Sequence, residues 1–439
     1  MLFRSYNRDQ DMILTGKRHP FLAKYEVGYD RQGVLQAMKL ELFSNGGWSL
    51  DLSTPVTDRA MFHSNNCYFI QDVEVSGRVA KTNLVSNTAF RGFGGPQGML
   101  VIEEIMDRIA RSLKLSPETV RERNFYRGSV ESMTTHYGQL VEDDRVTRIW
   151  RQLQKDAEVE KRRKELAKWN AENPMHKRGI GMTPVMFGIS FTLTMYNQAG
   201  ALVHIYKDGS VQVNHGGTEM GQGIHTNIQT IAARELGLDP ERVRVMTTAT
   251  DKVPNTSATA ASSGTDLNGA AVRNAMETLK ERMRPVAAGL LKVTDLKNIE
   301  FWDGKVGSGS NWVDFAKVAE AAIAQRVSLS STGYYRTPEI HWDRAKGFGR
   351  PFYYFAVGAA VSEVEVDGYT GFTQVRRVDI LHDVGQSINE GVNRGQIEGG
   401  FVQGMGWLTT EQLVWNAEGR LLTHSPDTYK IPAIGDVPK

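Results

Sequence analysis

The chain has 439 residues, 40% of them hydrophobic and 23% charged, which is ordinary globular composition and enough length for two or three domains. Fifty-two basic residues against fifty acidic ones leave a net charge of +2, a balance that offers no sign of a field for nucleic acid or a membrane surface. A single cysteine, Cys67, excludes an intrachain disulfide framework and a self-contained four-cysteine iron–sulfur or zinc site, and points to the reducing cytoplasm.

The N-terminus, MLFRSYNRDQDMIL, is charged throughout, unlike a signal peptide, and no window approaches the roughly 18 apolar residues of a spanning helix. Residues 22–50 alternate as two strands, LAKYEVGYD and VLQAMKLELFS, around a turn at Arg31, Gln32 and Gly33. Residues 67–84 continue in extended form to SNTAFRGFGGPQG, residues 86–98. Its glycines suit positive φ or a close approach, and Pro96 bars the segment from a central strand. Phe90 and Phe93 are too apolar for a casual surface loop. The segment fits either a tight turn whose phenylalanines plug the core or an aromatic wall beside a flat ligand. The helix GMLVIEEIMDRIARSLKL follows, with Val101, Ile105, Ile109 and Leu113 on one stripe and Glu103 and Glu104 expected to face water. The loop therefore meets a helix N-terminus, where free amides and the dipole favour anions. A short helix opens at Ser116, as N-cap, and Pro117.

Residues 143–173 are charge-rich and read as one exposed helix ended by Asn173 and Pro174. The expected organisation is a first subdomain over 1–142, an exposed helical linker over 143–174 and a second subdomain over 175–439. The second unit opens with GIGMTPVMFGISFT and a hairpin turning at Asp208 and Gly209. GGTEMGQG runs into a helix, TAASSGTDLNG runs into another and NRGQIEGG into a third, before the apparent hairpin EQLVWNAEGRLLTH. Strands and helices mix without regular βαβ spacing, so the fold class is α+β with two mixed-sheet subdomains.

One Gly- or Ser/Thr-rich loop entering a helix is a common cap, and none of the four carries a Walker Gly-Lys-Ser/Thr or a Rossmann G-x-G-x-x-G spacing. Four together suggest one large, polar, partly anionic ligand held by backbone amides. Gln222 and Gln396 each follow a glycine at such a junction, and a neutral amide both donates to and accepts from a heterocycle. His215, His225 and His382 are isolated and read as structural, no HExxH occurs, and the chemistry is expected from a bound cofactor.

NTAFRGFGGPQG, FGISFT with NQAGALVHIYKDGS, GGTEMGQG, VPNTSATAAS, GYYRTP, GQIEGGFVQGMGW and TYKIPAIG occur in this order. Together they resemble the molybdenum-cofactor domain of the xanthine dehydrogenase and aldehyde oxidase family, from about residue 10 to the C-terminus. The resemblance implies a molybdenum hydroxylase whose metal is held by a pterin dithiolene, with no direct side-chain ligand. It implies oxidation of hypoxanthine or xanthine to urate, with electrons passing to iron–sulfur clusters and FAD on another segment or subunit of a homodimeric enzyme. Residue by residue, it implies cofactor contacts at Phe90, Arg91, Gln222, Gln396 and the backbone of Ala260, Ala261 and Ser262, with Arg91 and Ala261 adjacent to the metal. Phe93 and Phe191 match the two aromatics that hold the purine, and Thr192 the neighbouring substrate contact. Arg59, in TDRAMF, matches the arginine that faces the purine and stabilises charge developing on it. By itself Arg59 looks like a surface arginine; aldehyde oxidases generally lack it, which disfavours that alternative.

The family's upstream GGGFGGKE-like segment and its downstream GEPP segment, which carries the general-base glutamate, have no match here. The chain thus reads as the middle of a catalytic domain. A truncated, inactive product that only binds cofactor or partner subunits is the remaining expectation.

Overall fold

The computed structural model describes residues 5–438. After a capped helix, α1 (Arg8–Leu14), the alternating residues form β1 (Phe21–Tyr29) and β2 (Leu35–Gly47), paired antiparallel. Leu35, Met38, Leu40 and Leu42 fill the buried face of β2. A helix the alternation pattern does not reveal, α2 (Ser53–Phe62), then crosses over to β3 (Asp72–Lys81), which lies parallel to β2. The expected amphipathic helix is α3 (Gly95–Leu113), and Ser116 caps α4 (Pro117–Asn124) as expected.

The charge-rich stretch departs from expectation. It forms two helices, α5 (Arg145–Asp156) and α6 (Val159–Glu172), separated at Glu158 with φ 50°. Neither is an exposed linker: Trp150, Leu153, Val159 and Leu166 are buried. The apolar stripe is narrow and the charges around it hide it from a composition count. Glu103 also departs, since it is held by Arg121 (2.7 Å), which is itself buried on α4 and also binds Asp107 (2.8 Å). Tyr68 donates to the same carboxylate at 2.7 Å. Glu104 alone of that pair is exposed, bound to Arg108.

β4 (His176–Ile189) follows, and then the second unit of the fold. Here β5 (Gln198–Ile205) and β6 (Val211–His215) form the expected hairpin, and α7 (Ile224–Leu236) crosses to β7 (Val243–Val245), parallel to β6. The long α8 (Gly264–Leu291) packs beneath this sheet. A small antiparallel sheet of β8 (Glu300–Trp302), β9 (Lys305–Ser308) and β10 (Asn311–Asp314) precedes α9 (Phe315–Ala324). β11 (Ser330–Arg336) closes the sheet order β11-β5-β6-β7. After the hairpin of β12 (His341–Asp343) and β13 (Phe348–Arg350), β14 (Tyr354–Asp367) lies between β4 and β15 (Thr373–Asp383), and α10 (Glu390–Thr409) ends the regular structure. The apparent hairpin at 411–424 is reduced to one bridge, Trp415 to Leu421.

The fold is α+β with mixed sheets. Its buried apolar residues form two cores. One joins the β1–β3 sheet and α2–α5 to β4 and β14; the other joins β5–β7 and β11 to α7, α8 and α9. β4 and β14 pair along the whole length of β14 and contribute to the first core, although both lie within the expected second subdomain. Arg162 of α6 reinforces that layer, binding Glu363 of β14 and Asp379 of β15, both at 2.8 Å. No helix among the described residues is long and apolar enough to cross a membrane.

Candidate functional site

The FRGFGG loop enters α3 against α2. Gly92, Phe93 and Gly94 have φ of 91°, 52° and 96°, three successive left-handed residues. Phe93 has a Cβ and carries strain of about 1–3 kcal/mol there, the kind of cost that persists at sites where the surroundings over-determine it. A Cβ on Gly94 would overlap the carbonyl oxygen of Val56, and one on Gly98 that of Ala60. The backbone of α3 therefore lies directly on α2. Ala261 (φ 57°) and Ser262 (φ 56°) repeat the strained conformation at the entrance to α8.

Arg59 is on α2, and it is not a surface residue: it is 3% exposed. Its guanidinium donates to the backbone carbonyls of Gly188 and Ser190, both at 2.6 Å, while its Nε is buried without a partner. Burial lowers its pKa to about 10, so the group stays charged at neutral pH. One turn on, His63 accepts the Gly188 N–H at Nε2 (3.0 Å) and sits 3.0 Å from the Arg59 carbonyl at Nδ1. Only a neutral ring with its proton on Nδ1 satisfies both contacts. Burial, aided by the charge of Arg59, pushes the His63 pKa down to about 3, and burial pushes His136 to about 4. In the unfolded chain these rings hold protons below about 6.5, so their contribution to stability is complete above that pH and drains as pH falls toward 4 and 3. Between pH 7 and 5 each should cost about 2 kcal/mol, read as a fall in urea midpoint that His136→Gln reduces.

Phe191 and Thr192 follow the end of β4 and are partly buried. Asn197 holds Phe191 from both sides, accepting its N–H (2.8 Å) and donating to its carbonyl (2.9 Å). The Phe191 ring packs edge-on against Tyr196, with centroids 5.6 Å apart.

The cofactor candidates come from both units and are tied together. Arg91 donates to the side-chain and backbone oxygens of Gln396 on α10, each at 3.0 Å. Gln396 in turn reaches the Gly221 carbonyl at 3.5 Å, beside Gln222. Gln222 folds back on its own loop, donating to Thr218 and accepting from Met220. The Thr218 N–H donates to Thr259 (2.8 Å), which joins this loop to Ala260, Ala261 and Ser262. Arg18, absent from the sequence reading, seats its guanidinium 4.2 Å from the Phe90 ring centroid and 4.8 Å from that of Trp407, and donates to the Arg91 carbonyl.

The amides at the entrance to α7 are not all free for an anion, because Glu219 occupies those of Gly221, Gly223 and His225 at 2.9–3.1 Å. Desolvation opposes that charge, yet the amides of His225, Gly223 and Gly221 outweigh it and hold the carboxyl below its usual range. What remains is a donor set of neutral amides, one guanidinium and left-handed backbone. Space is open at Gly221, where an added Cβ would meet nothing within 4 Å. Such a set suits a polar heterocycle with a phosphate.

The chain matches two molybdopterin cofactor-binding domain models, over residues 3–125 and 152–438. A xanthine dehydrogenase/oxidase from Felis catus is 46% identical over 432 residues, covering 98% of this chain and 31% of that protein. A xanthine dehydrogenase from Oryza sativa subsp. japonica is 45% identical over 439 residues, covering 98% and 30%. The chain thus spans about a third of the length of these curated relatives. Among solved structures, the aldehyde oxidoreductase from Desulfovibrio desulfuricans superposes with TM-score 0.83 at 28% identity, over 99% of this chain and 44% of that one. Quinoline 2-oxidoreductase from Pseudomonas putida 86 shares the fold, with TM-score 0.86 at 24% identity over 99% of this chain and 56% of that one.

Proposed function

Since the chain belongs to the molybdopterin cofactor-binding domain family, we propose that it forms the cofactor and substrate pocket of a xanthine dehydrogenase-type hydroxylase acting on hypoxanthine and xanthine. The observation that carries this is the joining of loops from both units through Arg91, Gln396, Gly221, Thr218 and Thr259. Gln222, Gln396, Arg91 and the backbone at Phe90, Ala260, Ala261 and Ser262 would hold the molybdopterin. Bound there, the group supplies oxidative hydroxylation of an electron-poor ring carbon.

The chain's own residues bind and orient the substrate. Phe93 and Phe191 offer aromatic surface to a planar purine. Thr192 offers a hydroxyl at its edge, and the buried charge of Arg59 favours negative charge developing on the ring. Electrons leave to iron–sulfur and flavin centres on another segment or chain, in a cytoplasmic homodimer. Purine is favoured over aldehyde as substrate because the curated xanthine dehydrogenases are 45–46% identical to this chain, against 28% for the aldehyde oxidoreductase.

The protein carrying this chain, produced in a host that makes the cofactor, should contain molybdenum and pterin in equal amounts and convert xanthine to urate. Elemental analysis, fluorescence of the released oxidised pterin and urate formation measure this. Protein without metal, pterin or urate formation would overturn the reading.

A further inference from the structure

We propose that His63 is a positioning residue for the substrate platform, holding the end of β4 on α2 and thereby setting where Phe191 stands relative to Phe93; the inference rests on the proposed purine site.

The geometry leaves residues 188–191 little freedom. Gly188 is gripped at both backbone groups, its N–H by His63 and its carbonyl by Arg59. Arg59 also takes the Ser190 carbonyl, and Asn197 takes both backbone groups of Phe191. His63 and Arg59 are four residues apart on α2, so one helix face presents both (i, i+4).

Phe187 is the spacer on the other side of the platform. Its ring lies 4.6 Å from the His63 ring at 30°, with the Arg59 guanidinium 5.1 Å from its centroid. A Cβ on Gly95 would come within 2.6 Å of the Phe187 ring. Gly95 starts α3, two residues after Phe93, and α3 itself rests on Val56 and Ala60 of α2. Thus α2 carries both substrate aromatics: Phe93 through the α3 glycines, and Phe191 through His63 and Arg59. The imidazole is buried and both of its ring nitrogens are taken up by backbone groups, so it acts on the purine by fixing the platform.

His63→Phe keeps an aromatic ring against Phe187 and removes both hydrogen bonds, which separates bonding from packing. His63→Gln restores an acceptor near Gly188. In the holoenzyme, His63→Phe should raise KM for xanthine about tenfold with kcat within about twofold, the signature of lost ground-state positioning. Amide exchange in peptides spanning residues 187–192 should speed about tenfold, as for one lost buried hydrogen bond. His63→Gln should recover at least half of both effects on a logarithmic scale. Unchanged exchange and KM in His63→Phe would overturn the proposal. Should that variant not fold, His63→Asn, which is too short to reach Gly188, is read by the same two measurements. A wild-type enzyme inert toward xanthine would defeat the proposed function alone, and the exchange of residues 187–192 would still decide the positioning role.

Discussion

Arg59→Met should lower kcat/KM for xanthine by about two to three orders of magnitude, equivalent to about 3–4 kcal/mol of transition-state stabilisation, while benzaldehyde turnover stays within a few-fold. Two effects add. Methionine removes the buried positive charge that Arg59 holds beside the end of β4, and with it a potential that would favour negative charge on a purine ring. It also strips the Gly188 and Ser190 carbonyls of their donors. Each unpaired carbonyl costs about 1–3 kcal/mol, so the thermal midpoint should fall by several degrees as well. An aldehyde carbonyl needs neither the charge nor a sandwich of two rings, so its turnover is the control for a pocket that still holds its cofactor. Arg59→Lys should recover little, because an ammonium cannot span both carbonyls as the planar fork does. Equal loss on both substrates would mean that Arg59 serves the fold alone. Unchanged xanthine kinetics would remove it from the substrate site.

What was legible in the sequence follows from whether the relevant physics is local. The loops at FRGFGG, GTEMGQG and TAASSG announce themselves because glycines and small residues mark left-handed backbone and helix entry. The left-handed state of Phe93, Ala261 and Ser262 is invisible locally, since these residue types disfavour it and only packing enforces it. The helix α2 escaped the periodicity reading because its buried positions include Ser53, Thr57 and Arg59 beside Val56, Ala60 and Phe62. Arg59 and Glu103 look solvated in sequence. Their burial depends on partners far along the chain for Arg59, whose carbonyls lie about 130 residues away, and on a helix-to-helix approach for Glu103 and Arg121. The α5–α6 stretch failed for the related reason that net polarity says nothing of a narrow apolar stripe. Arg18, His63, Asn197 and Glu219, which hold the site in place, had no local signal beyond being polar. The family resemblance supplied candidate positions in the pocket, whereas the supports beneath them emerged only from the fold.

Gly94→Ala and Gly221→Ala should differ sharply although both glycines have φ of 96°. At Gly221 an added Cβ meets open space, so the cost is that of left-handed backbone alone, about 1–2 kcal/mol. At Gly94 the same methyl would overlap the Val56 carbonyl oxygen and press on the Ala60 nitrogen, inside the turn where α3 rests on α2. Neither atom can swing aside, because both belong to helix backbone. Strain and overpacking together should cost about 3–6 kcal/mol, much of the margin of a typical domain. Urea midpoints measure both losses, and molybdenum content reads their effect on the pocket. Gly94→Ala should lose metal as well as stability, since moving α3 off α2 displaces Phe90, Arg91 and Phe93 together. Gly221→Ala should stay folded and show a smaller loss of cofactor confined to the loop beside Gln222. Equal destabilisation by the two changes would mean that the α2–α3 contact yields easily. In that case α2 could not set the relation between Phe93 and Phe191, and the rigidity ascribed to the platform would have to come from β4 and β14.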